Sequence, residues 1–141
     1  MSIQPGTGPQ GLDVGRASRA AGTWRQRGAA MLLDMAAVTL FAYLGRGAHE
    51  GGRSATDVLE VALPFLLARL LVTVLVQHGS LRLWPGGVVA WLATWAGGLA
   101  LRAALGDGTA LPFVLVALGV LGALFLGWRA VWLLATRVGR N

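Results

Sequence analysis

From Trp84 to Leu105 the chain carries no acid and no lysine, and its single charge is Arg102. A helix that is apolar all round needs apolar surroundings on every side. Three further runs have the same character, and 141 residues cannot wrap all four of them. Each is therefore read as a membrane span, since about 20 residues of helix cross a bilayer core. Composition agrees. Hydrophobic residues make up 55% and charged residues 13%, against roughly 25% charged in ordinary soluble domains. Mean hydropathy is +0.64. The expected fold is all-α, a polytopic membrane protein with four transmembrane helices in a compact bundle.

The chain has no cysteine. That excludes a disulfide framework, a thiolate metal site and a cysteine nucleophile. The net charge is +6, and all 12 basic residues are arginine. They sit in short flanks between apolar runs, where membrane topology places them, and not in one patch of the kind that binds nucleic acid.

Taken in order, residues 1–27 read as a disordered basic tail. Gln4–Gly11 is turn-rich, and Arg16, Arg19, Arg25 and Arg27 follow. The transmembrane domain occupies 28–135, with spans at about 28–44, 58–76, 85–105 and 111–135. The first run contains Asp34 and is longer than a signal-peptide core, so it is read as an uncleaved span. The loop after it is glycine-rich and carries Arg46, His49, Glu50 and Arg53. Asp57 is the expected cap of the second helix, with Glu60 at its third position. Pro64 lies inside that helix, where membrane helices tolerate proline with a kink. Pro85 suits the first turn of the third helix. Gly106–Thr109 is a tight turn, and residues 136–141 form a basic tail.

Four spans put both termini on one side. That side carries Arg16, Arg19, Arg25, Arg27, Arg82, Arg137 and Arg140; the other carries Arg46 and Arg53 near its span ends. The imbalance predicts a cell-membrane protein with cytoplasmic termini. Trp84 and Trp132 fit an aromatic belt on that side. Ala62–Leu67 (ALPFLL) recurs as Ala110–Leu115 (ALPFVL). The recurrence is consistent with two related helical hairpins, or with chance in a chain built mostly of a few residue types.

Several residues together resemble one family. They are Asp34, Gly45-Arg46 with His49, Pro64-Phe65, Trp84-Pro85-Gly86 with Trp91, Arg102 followed by Gly106 and Gly108, and Gly127-Trp128-Arg129. The pattern is similar to the domain of unknown function 3054, an uncharacterised family of small four-span membrane proteins found mainly in actinobacteria and halophilic archaea. It covers roughly residues 30–133. The resemblance implies the architecture and lends no activity.

Five charged positions are candidates for a polar path or for structural ion pairs: Asp34, Arg69, Arg46, Glu60 and Arg102. A charge near the middle of a span costs roughly 2.5–3.5 kcal/mol, so Arg69 needs an offset. Asp34 lies at a compatible depth on the first span, and the two can meet; the alternative is an arginine that snorkels to headgroups. Asp34 with Trp91 and Trp95 is also similar in layout to small multidrug transporters, an analogy that stops at layout. Trp84, Trp91, Trp95, Gly98 and Arg102 share one stripe. Arg102 and Arg46, with Asp57, Glu60 and Asp107, suggest a charged cluster at the outer end, either a mouth for an anionic solute or lipid headgroup, or solvated ion pairing. Arg129, with Trp128 and Trp132, reads as an interfacial anchor.

Ala93 and Gly97 on the third span, and Gly119, Ala123 and Gly127 on the fourth, are candidate packing positions between those helices or between protomers. No catalytic or metal-binding residue and no cofactor emerges; His49 lacks a second ligand at metal spacing, and no phosphate loop or HExxH is present. The expected partners are the lipid bilayer and either further copies of the chain or another membrane protein, with no nucleic acid. The reading is a non-enzymatic structural or accessory membrane protein. The alternative is a small transporter or channel using Asp34, Arg69 and Arg102.

Overall fold

The computed structural model describes residues 9–46, 54–76 and 83–139, with side chains over 24–45, 54–75 and 83–139. Four helices follow one another: α1 (Pro9–Arg46), α2 (Ala55–Val76), α3 (Val88–Ala104) and α4 (Leu111–Val138). The described residues include no strand. Four helical segments are long and apolar enough to cross a membrane: Trp24–Gly45, Ala55–Leu75, Leu83–Ala104 and Leu111–Val138, the third made of a helical turn at Leu83–Gly87 followed by α3. The helices pack in a ring, each against its chain neighbours, with α4 returning to α1; across the diagonals only side chains meet, as Phe65 of α2 does Phe113 of α4.

The helix ends follow local chemistry, sometimes against expectation. α1 takes in residues 9–27, which composition assigns to a disordered tail. Between Leu12 and Arg27 this stretch has no proline and is rich in alanine and arginine, both good helix formers. It also extends a helix already nucleated by the apolar run, and elongation is the inexpensive step. Residues 1–8 and 140–141 of the two tails lie outside the described residues.

The cap of α2 is Ser54, not Asp57. The Asp57 amide donates to Ser54 Oγ at 3.2 Å, and the Val58 amide donates to the Ser54 carbonyl. Asp57 thus occupies the third position, where an acid meets the positive end of the helix dipole. Glu60 lies a turn further on, on an exposed face. Trp84 is extended (φ −121°, ψ 137°) and Gly87 is helical, so the chain enters the third helix just after Trp84. α3 ends where Gly106 turns left-handed at φ 82°. The Gly106 amide reaches the Ala103 carbonyl and the Asp107 amide reaches Arg102, a Schellman closure that depends on glycine at that point.

The core inside the ring is aromatic at the end carrying the α3–α4 turn. Phe41 and Phe65 meet edge-on at 5.4 Å, and Phe113 lies 6.2 and 6.3 Å from them. Val38, Ala90, Ala117, Leu121 and Phe125 continue the core toward the other end. The recurring hexapeptide therefore delivers both its phenylalanines to one cluster. Its prolines are not equivalent: Pro64 is buried inside α2, whereas Pro112 opens α4.

The small residues are used differently from the expected pattern. Gly97 packs on Ala68 of α2, and a Cβ at Gly98 would run into the Phe65 ring. Against α4, the close approach is made by Gly122, where an added Cβ would lie 2.8 Å from the Trp91 indole. Gly119 and Gly127 have nothing within 4 Å of an added Cβ, and Ala123 is exposed. The stripe at 119, 123 and 127 therefore packs no helix within the chain. The reason is that α3 meets α4 through indole rings, one residue round the helix from that stripe. Ala93 is half-buried.

Candidate functional site

Asp34, Arg69 and Arg129 converge inside the ring from α1, α2 and α4. All three are buried, at 0%, 0% and 1% exposure. Asp34 accepts five hydrogen bonds: from Arg69 Nε (3.0 Å) and Nη2 (2.8 Å), from Arg129 Nη1 (2.7 Å) and Nη2 (2.8 Å), and from Trp128 Nε1 (3.0 Å). A carboxylate offers about four lone-pair positions, so Asp34 is saturated. Arg129 grips both its oxygens, the two-pronged geometry that makes arginine–carboxylate pairs strong.

Both guanidiniums make further contacts. Arg69 Nη1 donates to the Thr73 hydroxyl, which itself donates to the Arg69 carbonyl. Arg129 Nη1 also donates to the Phe125 carbonyl at 2.9 Å. The Arg129 guanidinium lies 4.3 Å from the Trp128 ring centre, a cation–π contact that gains strength away from water. Arg129 Nε has no partner among the described residues. With Asp34 as a carboxylate, the cluster carries one negative and two positive charges.

The sequence reading brings Asp34 and Arg69 within reach of each other, and they meet. It places Arg129 at the interface, whereas Arg129 is buried against Asp34. The signal was available. Arg129 lies six residues inside the expected end of its span, and Asp34 lies six residues inside the start of its own, so the two are at one depth. Helical side chains also lean toward the helix N-terminus, which for α4 carries the long arginine inward. Trp128, read as part of the same anchor, instead donates to the carboxylate.

A second charged position lies at the other end. Arg102 is half-buried, with its side chain 15% exposed. Its Nη1 is 3.9 Å from Asp107, and its guanidinium stacks 4.7 Å from the Phe113 ring centre. Its Nε is buried with no hydrogen-bond partner among the described residues. A cavity of about 640 Å³ opens beside it, between the last turn of α1 and the first turns of α4. Of the expected outer cluster, the side chain of Arg46 lies outside the described residues, as do His49, Glu50 and Arg53 of the loop after α1, and His78 and Arg82. Asp57 and Glu60 have interactions of their own.

On the stripe of α3, Trp91 and Trp95 are half-buried and donate their indole N–H groups to the α4 carbonyls of Leu118 and Val114, at 3.0 and 3.1 Å. They bind α3 to α4 and do not face Asp34 as solute-lining aromatics would. Trp24, Trp84 and Trp132 are strongly exposed, all at the end of the molecule that carries the termini. Among the described residues no three metal-ligating side chains lie together.

Four apolar spans closed by a buried carboxylate–arginine cluster define an all-helical, multi-pass membrane protein. Residues 31–132 match the family described as "Protein of unknown function (DUF3054)", and the chain belongs to that family. No curated protein and no solved structure matches the chain.

Proposed function

We propose that the chain is a non-enzymatic structural or accessory protein of the cell membrane, with both termini in the cytoplasm. One observation carries this reading. Asp34, the acid in the candidate path, is filled by five donors from α2 and α4. A carboxylate that exchanges protons or binds a passing cation needs a free oxygen and a route of approach. Asp34 has neither, and two guanidiniums beside it repel cations. The same contacts do explain a mechanical role, since they clamp α1, α2 and α4 through one atom group.

Cytoplasmic termini follow from the excess of arginine at that end, and the exposed tryptophans there suit an interfacial belt. On this reading the open faces at Gly119 and Gly127 admit a neighbouring helix, from another copy or another membrane protein. The partner surfaces are lipid and protein, with no nucleic acid.

The test uses the purified full chain in liposomes, with chloride, sodium and proton leaks measured beside unfolding in detergent. The account predicts leaks equal to those of empty liposomes, and a loss of folded protein on Asp34→Asn. A leak that disappears in Arg69→Leu or Asp34→Asn while the fold persists would instead establish the transporter reading.

A further inference from the structure

The cavity beside Arg102 has the construction of a site for an amphiphile. Its walls come from α1 (Phe41, Leu44), α2 (Val61) and α4 (Phe113, Val116, Val120), and among the described residues Arg102 is the one charged residue that lines it. About 640 Å³ falls within the range of pockets that enclose small-molecule ligands. The pocket opens between α1 and α4, at a seam where Leu44 and Val116 are exposed on what is the lipid-facing side of a span. Hydrocarbon chains therefore reach it without crossing water.

The polar end of the pocket is equally defined. Arg102 lies in the last turn of α3, at the level of an interface, and is 85% covered by protein by virtue of its 15% exposure. Among the described residues its nearest acid is 3.9 Å away and itself 45% exposed, a weak partner. Its buried Nε is left without an acceptor among the described residues. A buried polar atom of this kind is costly unless something accepts from it. α4 also begins beside the pocket at Ala110 with no side-chain cap, so its positive dipole end faces the same mouth. A positive, under-satisfied polar end joined to an apolar groove open to lipid matches one occupant in both charge and shape.

We propose that this pocket holds a membrane phospholipid, with its phosphate on the Arg102 guanidinium and an acyl chain in the groove between α1 and α4. The site takes the phosphate as a planar guanidinium does, by paired hydrogen bonds that include Nε. Because Asp34 and its arginines lie at the other end of the molecule, the lipid site stands whether or not the clamp has the role given above.

The test is native mass spectrometry of the delipidated full chain in mild detergent. The probes are dioctanoyl phosphatidylglycerol, dioctanoylglycerol with the same chains and no phosphate, and inorganic phosphate alone. The proposal predicts one bound phosphatidylglycerol, with dioctanoylglycerol at least tenfold weaker and phosphate not retained. Arg102→Gln weakens the phospholipid at least tenfold, and Arg102→Lys less. Val116→Trp, which leaves the arginine in place and narrows the groove, also weakens it, so the question is decided even if the Arg102 variants do not fold. Equal binding of dioctanoylglycerol, retention of free phosphate at the same site, or unchanged phospholipid binding by Val116→Trp overturns the proposal.

Discussion

Arg129 and Arg102 are both arginines set into apolar helices, and each stacks on an aromatic ring. Their fates differ. Arg129 finds a carboxylate on the facing helix and closes on both its oxygens at 2.7 and 2.8 Å. Among the described residues Arg102 finds only the carboxylate of its own following turn, at 3.9 Å, while both arginines keep a buried Nε without a partner there. Arg129 lies at the seam between α1 and α4, and Arg102, on α3, lines the cavity at the other end of that seam. At one end the seam is locked by charge; at the other it opens into a cavity. The lesson is that an arginine in a span becomes structural when a facing helix supplies an acid at its depth. Without one, its charge is left for something from outside the chain to meet.

This contrast can be broken most forcefully at Asp34. Asp34→Asn leaves two guanidiniums close together in a dry interior, and unfolding in detergent should show a loss of about 3–5 kcal/mol, the usual cost of orphaning a buried charge. Arg129→Leu and Arg69→Leu each leave a neutral Asp34–arginine pair. Each should therefore cost less than Asp34→Asn, about 1–3 kcal/mol on the scale of a lost charge-assisted hydrogen bond. If either arginine proves as costly as Asp34, the count of one acid serving two cations is wrong.

The packing glycines sharpen the comparison further. Gly98→Ala and Gly122→Ala drive a methyl group into the Phe65 ring and the Trp91 indole, and overpacking of this kind costs about 1–3 kcal/mol. Gly119→Ala and Gly127→Ala meet open space and should leave monomer stability unchanged or raise it by up to about 1 kcal/mol. Equal losses at all four positions would show that the exposed face of α4 is packed after all. Smallest of all, Arg102→Gln should change stability by under about 1 kcal/mol while lowering phospholipid binding, whereas Arg129→Leu should do the reverse. A thermal shift assay run beside the lipid titration checks both.

Much of this fold was legible from the chain alone, because a span needs only length and apolar character. The four spans, the turn at Gly106 and the meeting of Asp34 with Arg69 all follow from runs and depths. What failed to show was anything decided by rotation about a helix axis. Gly122, not Gly119, faces α3, a difference that a sequence made mostly of alanine, leucine, valine and glycine does not encode by contrast. Arg129 was hidden for a related reason. Trp128 and Trp132 flank it, and tryptophan beside arginine near a span end describes an interfacial anchor as well as it describes a buried donor pair. Asp57 was mistaken for a cap because a serine three residues earlier satisfies the same motif with the acid moved to the third position. The cavity beside Arg102 depends on how far α1 and α4 diverge, which no local pattern carries.

The most direct measurement compares unfolding of Asp34→Leu with that of the triple variant Asp34→Leu, Arg69→Leu, Arg129→Leu, in one detergent. Replacing a complete buried ionic cluster with apolar side chains is often neutral or stabilising, whereas removing one member is not. If the cluster is a clamp, the triple variant recovers most of the stability that Asp34→Leu loses and keeps its four-helix content. A triple variant no more stable than Asp34→Leu would contradict the account, because the damage would then lie elsewhere than in stranded charge.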